Sequence, residues 1–288
     1  MRTTTTDTGM GRPGSTAGDE VLVNAEWLDA RLDDPSVRVI EVDVGRAAYD
    51  AGHIEGAVLW DVYADLKDDD YRPVDAPALE RLLGRTGISS ESTLVFYGYT
   101  SAIGVWLMQL HEHPDIRLLD CSRDAWRAEG RPWTDVMATP RPTEYRLPRP
   151  RIGMRASRRD VCEAIGRHDT VVLDVRSDNE YTGERFWPSG GSQPGGRAGH
   201  VPTALHLPLG DLYDGRGAFS DEGSLRRAFA PVVENDRREV ITYCTIGGRA
   251  STAWFVLTHL LGRDNVRVYD GSWAEWGLTP GAPVATGT

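Results

Sequence analysis

Apolar positions along the chain fall into a pattern that occurs once in each half. Near-continuous apolar runs, the kind that form strands covered on both faces, lie at Val37–Val44, Thr93–Tyr97, Thr170–Val175 and Glu239–Tyr243. The last run is followed by Trp254, Leu257, Leu260 and Leu261 at three- and four-residue steps, which predicts a helix with one apolar stripe. Trp106 and Leu110 begin a similar stripe in the first half, and Arg158–Ile165 reads as a further helix. Both halves then close alike: Arg117–Asp120 is followed six residues later by Trp126, and Val266–Asp270 six residues later by Trp276. Strands alternating with helices of this length predict βα units and an α/β fold with one small parallel sheet, flanked by helices, in each half.

The duplication extends to the connecting segments. Tyr49 leads into Ala51-Gly52-His53-Ile54-Glu55-Gly56-Ala57-Val58, and Tyr181 leads into Ala198-Gly199-His200-Val201-Pro202-Thr203-Ala204-Leu205. His53 and His200 follow glycine at equivalent places, which suggests a shared loop-anchoring role. Thr139–Arg155 holds prolines at 140, 142, 148 and 150 and few apolar residues, the composition of a semi-rigid linker. The expected organisation is therefore a disordered Thr/Gly/Ser-rich tail over 1–19, a domain over 20–138, a linker over 139–155 and a second domain over 156–288. Inside the second domain, Gly183–Gly199 is a long glycine-rich loop, of a kind that is usually functional or mobile.

Composition narrows the function classes. The 288 residues carry 32 basic and 43 acidic side chains, for a net charge of -11, so the basic footprint of a nucleic-acid binder is missing. Lys67 is the one lysine; every other basic residue is an arginine. No apolar stretch approaches the ~20 residues that span a bilayer, and the amino terminus has no signal-peptide core, so no membrane partner and a cytoplasmic location are expected. Three cysteines, Cys121, Cys162 and Cys244, form no CxxC pair, and His111 and His113 lack a third ligand nearby. Neither a disulfide framework nor a metal is expected.

Where the halves differ, chemistry is indicated. Tyr243 is followed by Cys244-Thr245-Ile246-Gly247-Gly248-Arg249 and then a helix, whereas Tyr97 is followed by Gly98 and a turn two residues shorter. A cysteine at the carboxyl end of a buried parallel strand, before a helix amino terminus, sits where α/β sheets bind ligands. Free N–H groups and the helix dipole there favour an anion and so the thiolate, and the glycines let the backbone bend around the sulfur. Cys244 is thus the candidate nucleophile. Cys162, in a helical pattern, and Cys121, after a strand without a glycine turn, read as packing residues.

These features together resemble the two-domain rhodaneses, the thiosulfate sulfurtransferases. The resemblance rests on the duplication with Asp174-Val175-Arg176, Tyr181-Thr182-Gly183-Glu184, Gly199-His200-Val201-Pro202, the Cys244–Arg249 loop and Asp270-Gly271-Ser272-Trp273, and it spans Val21 to Gly277. It implies tandem rhodanese-like domains, the first without the catalytic cysteine and the second catalytic, with no metal or organic cofactor. Cys244 would take a sulfane sulfur from thiosulfate, become a persulfide and pass the sulfur to a thiol, cyanide or protein acceptor. Thr245, Ile246, Gly247, Gly248 and Arg249 would bind the donor, with Arg185 and Arg197 of the glycine-rich loop as further sources of charge. The loop has four residues between Cys244 and Arg249, one fewer than the related phosphatases use for a tetrahedral oxyanion, which favours sulfur over phosphate.

Two departures bear on the donor. Thr245 stands where many thiosulfate-type members have a basic residue, so Thr245→Arg or Thr245→Lys is expected to raise activity. Glu180 stands where the mercaptopyruvate sulfurtransferases, the alternative assignment, use an arginine. A dedicated sulfur donor for one biosynthetic acceptor and a regulatory binding module are the remaining readings; the intact Cys244 loop argues against the latter.

Overall fold

The computed structural model describes residues 21–210, 212–234 and 238–287. The tail expected over 1–19 lies outside the described residues. Along the first half run β1 (Leu22–Val23), β2 (Val37–Asp43), β3 (His53–Ile54), β4 (Val58–Asp61), β5 (Thr93–Tyr97) and β6 (Ile116–Leu119), with β7 (Trp133–Thr134) near its end. Five of them form an all-parallel sheet in the order β1-β6-β5-β2-β4. β3 instead pairs antiparallel with β7. The second half contributes β8 (Thr170–Asp174), β9 (Leu205–His206), β10 (Glu239–Tyr243) and β11 (Val266–Val268), parallel in the order β11-β10-β8-β9. Two parallel sheets flanked by helices are what the alternating pattern implied.

The sheets are covered on both faces, which explains the near-continuous apolar runs: Leu94, Val95, Phe96 and Tyr97 of β5 are all buried, as are Val240, Ile241, Thr242 and Tyr243 of β10. Helix Ser101–Leu110 follows β5 and helix Gly248–Phe255 follows β10. These two equivalent helices pack against each other, so one apolar cluster runs from the first sheet through Trp106 and Trp254 to the second. Full burial of each such large side chain contributes roughly 1.5–3 kcal/mol, so the halves are joined by a core and not by a tether alone. The stripe at Leu257, Leu260 and Leu261 continues past Phe255 as a wider π-helical turn over Val256–Leu260.

The proline-rich segment packs along the first domain. Thr143 N donates to Gly84 O at 3.0 Å and Leu147 N to Glu80 Oε1 at 2.9 Å, and the buried Tyr145 hydroxyl lies 2.7 Å from His113 Nδ1. His111 Nδ1 lies 3.2 Å from Pro148 O, so the two histidines hold this strap. Cys121 is buried in the first domain's second cluster, in keeping with a packing role. Cys162 corrects its reading: it is exposed, because Val161 and Ala164 form the buried face of helix Arg158–Ala164 and Cys162 points away from it.

Candidate active site

Cys244 stands at the carboxyl edge of β10, where the chain leaves the sheet and turns into helix Gly248–Phe255. Three bonds fix it. Its N–H donates to Ser272 Oγ at 3.1 Å, its carbonyl accepts from Trp273 N at 2.9 Å, and its Sγ accepts from Gly247 N at 3.1 Å. The loop can fold back on its own sulfur because Gly247 adopts φ +97°, where a Cβ would stand 2.9 Å from Asp270 O. Among the described residues, the N–H groups of Thr245, Ile246, Gly248 and Arg249 are left without an acceptor in the protein's own backbone or side chains.

Arg249, expected among the donor-binding residues, is held in an ion pair. Its guanidinium donates to Glu180 Oε2 at 2.9 Å and Oε1 at 2.8 Å, and to Thr245 Oγ1 at 2.6 Å. Thr245 in turn donates to Glu180, and Ser177 Oγ donates to Glu180 Oε2 at 2.7 Å. Burial alone would push the Glu180 carboxyl up, but Arg249 and the two hydroxyls outweigh it and hold the group at about 2. Glu180, placed by its own short helix Asp178–Tyr181, thus locks the loop through both ends of its sequence. This network uses three of the five donors a guanidinium carries. Position 245, where a basic residue was expected to raise activity, is 2 % exposed, and the Thr245 hydroxyl is a member of the network.

A second buried pair backs the strand ends. Arg176, wholly buried, donates to Asp174 Oδ2 at 2.7 Å and lies over the Trp273 ring at 4.4 Å, while the Tyr243 hydroxyl donates to Asp174 and accepts from Val201 N at 3.2 Å. His200 stacks on Tyr181 at 3.7 Å with Nδ1 2.8 Å from the Tyr181 carbonyl, the anchoring role expected of it. His53 does the same on Tyr49.

Cys244 opens onto a cavity of about 530 Å³. Thr245, Ile246, Gly248 and Arg249 line it, and Gly247 stands behind the sulfur. Arg185 and Arg197 do not line it. Arg197 donates to the carbonyls of Thr279 at 2.7 Å and Ala282 at 2.6 Å, bracing the carboxy-terminal segment, and Arg185 is exposed. The opposite wall comes from residues the sequence reading passed over: Tyr63, Tyr71, Tyr99 and Thr100 of the first domain and Trp187 of the glycine-rich loop. Thr100 lies so near that a Cβ on Gly248 would stand 2.8 Å from its Cγ2. The sign that could have found this wall is Tyr97-Gly98-Tyr99, the first domain's counterpart of the cysteine loop.

A cysteine at a glycine-bent strand-to-helix turn, present in one half of a duplicated parallel α/β scaffold, is the arrangement that places the chain in its class. The chain belongs to the rhodanese family: the rhodanese-like domain model matches it twice, over residues 24–129 and 157–279. SseA of Mycobacterium tuberculosis, which carries a provisional thiosulfate sulfurtransferase name, is 40% identical over 94% of this chain and 92% of its own. The sulfur carrier protein TtuD of Thermus thermophilus is 38% identical over 94% of this chain and 98% of its own. Among solved structures, the anaerobic ergothioneine biosynthesis enzyme of Chlorobium limicola shares the fold, with a TM-score of 0.80 at 23% identity over 94% of this chain and 71% of that one. The protein is a sulfurtransferase. Among the described residues no helix is long and apolar enough to cross a membrane.

Proposed function

We propose that Cys244 carries the transferred sulfur and that thiosulfate is its donor. The Cys244 thiolate attacks the outer sulfur of thiosulfate; a Cys–S bond forms, the sulfur–sulfur bond of the donor breaks, and sulfite leaves with the electron pair. A thiolate or cyanide then attacks the outer sulfur of the persulfide, and Cys244 departs as thiolate. The first step leaves negative charge on the outer sulfur and the second returns it to Cys244 Sγ, and the N–H groups of Thr245, Ile246, Gly248 and Arg249 can donate to that charge. The observation that carries this reading is the Gly247 N–H donated to Cys244 Sγ at 3.1 Å within a cradle open to the cavity.

Donor preference follows from Glu180. A mercaptopyruvate carboxylate would need a guanidinium free for a bidentate grip, and Arg249 already gives that geometry to Glu180. Thiosulfate needs only the backbone ring. Steady-state kinetics with both donors at matched ionic strength test this, with a higher kcat/KM for thiosulfate expected; a clear preference for mercaptopyruvate would refute it. The acceptor we favour is an organic thiol, because Tyr63, Tyr71, Tyr99 and Trp187 offer aromatic surface that cyanide cannot use. Handing the sulfur to a dedicated acceptor is compatible with the same chemistry, and the Thermus thermophilus relative is named a sulfur carrier protein.

A further inference from the structure

Charge around the cradle closes in pairs except at one place. Arg249 is matched by Glu180 and Arg176 by Asp174. Asp270, by contrast, is one carboxylate facing two cations: Arg155 Nε lies 2.7 Å from its Oδ1, and Lys67 Nζ lies 3.9 Å from its Oδ2. Lys67 belongs to the first domain, directly after the π-helical turn Val62–Leu66, yet its Nζ donates to the Asp270 carbonyl at 2.8 Å. Its side chain is 2% exposed and that of Asp270 1%. Asp270 Oδ2 has no hydrogen-bond partner, so the carboxylate does not saturate the ammonium. A Cβ on Gly247 would stand 3.5 Å from Lys67 Nζ, and the Gly247 N–H is the one held on the Cys244 sulfur. One residue of backbone therefore separates a buried ammonium of one domain from the reactive sulfur of the other.

We propose that Lys67 is a positioning residue for sulfur transfer, supplying from the first domain the positive charge that stabilises anionic Cys244 through Gly247. The proposal rests on the sulfurtransferase reading of Cys244. The other charged groups facing Lys67 are weaker rivals for it. Arg155 is partly exposed, and so screened, and Asp68 is partly exposed beside Arg72. Burial pushes Lys67 toward losing its proton, while Asp270 and the Cys244 sulfur act to keep it. A buried cation held in place by a thiolate must by reciprocity hold the thiolate. The arrangement also gives the first domain a task that its own cysteine-free loop does not explain.

Because Lys67 is the only lysine, protein grown with lysine carrying carbon-13 at Cε gives one lysine signal to titrate. In Cys244→Ser its midpoint is expected to move to lower pH than in the wild type. In Lys67→Gln, which keeps a donor and loses the charge, the peptide-resolved alkylation profile of Cys244 is expected to move to higher pH by a similar interval, with alkylation near neutral pH about tenfold slower. Arg155→Gln should shift that profile by less than half as much. Identical lysine titrations in wild type and Cys244→Ser would overturn the proposal, as would a Lys67→Gln profile that overlays the wild type. If Lys67→Gln does not fold, the lysine titrations decide alone. Neither measurement uses a sulfur donor, so failure of thiosulfate as donor would leave this test standing.

Discussion

Tyr97 and Tyr243 end equivalent strands and make the same bonds. The Tyr97 hydroxyl donates to the buried Glu41 and accepts from Ile54 N at 3.1 Å; the Tyr243 hydroxyl donates to the buried Asp174 and accepts from Val201 N at 3.2 Å. Both halves keep the stacked tyrosine and histidine, and both keep a tryptophan whose indole N–H closes the last turn, Trp126 on Pro132 and Trp276 on Pro283. They part at the next residue. Gly98 adopts φ +103° with Val42 O only 2.8 Å from where a Cβ would be, so the first loop has room for neither a thiol nor a cradle. The Cys244 loop has two more residues and bends at Gly247 around its sulfur. The charge behind the tyrosine differs too: Asp174 has the buried Arg176, whereas Glu41 has Arg123 no nearer than 3.4 Å and burial pushes its carboxyl up. Both halves thus share the brace while the second alone has a cysteine in the loop, and Tyr99 and Thr100 of the first half line the cavity onto which Cys244 opens.

The largest expected effect comes from exchanging the two loop positions. Cys244→Ser should reduce sulfur transfer to background, and Gly98→Cys should give the first domain no persulfide while destabilising it by about 2 kcal/mol or more, from strain at positive φ and the clash with Val42 O. Transfer rates and thermal unfolding of the two variants check this; a persulfide formed at position 98 of the Gly98→Cys variant would break the comparison.

Next in size is the lock that only the second loop possesses. Glu180→Gln leaves Arg249 without its carboxylate and should cost about 3 kcal/mol, since losing one partner of a buried pair strands the other. Because folding lowers the Glu180 carboxyl to about 2, its stabilisation is present above the ordinary carboxylate range and is lost as the pH falls through that range toward about 2. Denaturant unfolding from neutral to acid pH should show Glu180→Gln losing less stability on acidification than the wild type. Thr245→Lys, which breaks the same lock from the other side, should lower kcat/KM for thiosulfate; an increase would restore the view that the cradle lacks only charge.

Smallest are the other thiols. Cys162→Ser, on an exposed helix face, should change stability by less than about 0.5 kcal/mol, and Cys121→Ser by about 1 kcal/mol through its buried position, both with transfer rates near wild type. Equilibrium unfolding and steady-state assays of both variants measure this.

How much the sequence disclosed depended on the range of the interaction. Strands Thr93–Tyr97 and Glu239–Tyr243 were legible residue for residue, because burial on both faces leaves an unbroken apolar run. The strand-to-helix turn that carries Cys244 was legible because its loop is contiguous. The two-residue pair β3 and β7 was not, since its register is set by residues some eighty positions apart. Cys162 was misread because a helical pattern locates a helix without stating which side faces the sheet. Arg197 looked like spare charge until the carbonyls of Thr279 and Ala282 were seen to occupy it. Glu180 was read as a mark of donor choice, while its main task is to neutralise Arg249. Lys67 stood out only as a solitary lysine, because nothing local connects position 67 with Asp270.

The central claim, that one loop of the two carries the sulfur, is tested most directly by locating that sulfur. Wild-type protein incubated with thiosulfate, freed of donor and digested under non-reducing conditions, should show one added sulfur on the peptide that contains Cys244 and none on those with Cys121 or Cys162. Sulfur on either of the other two, or on none of the three with any donor tried, would contradict the account.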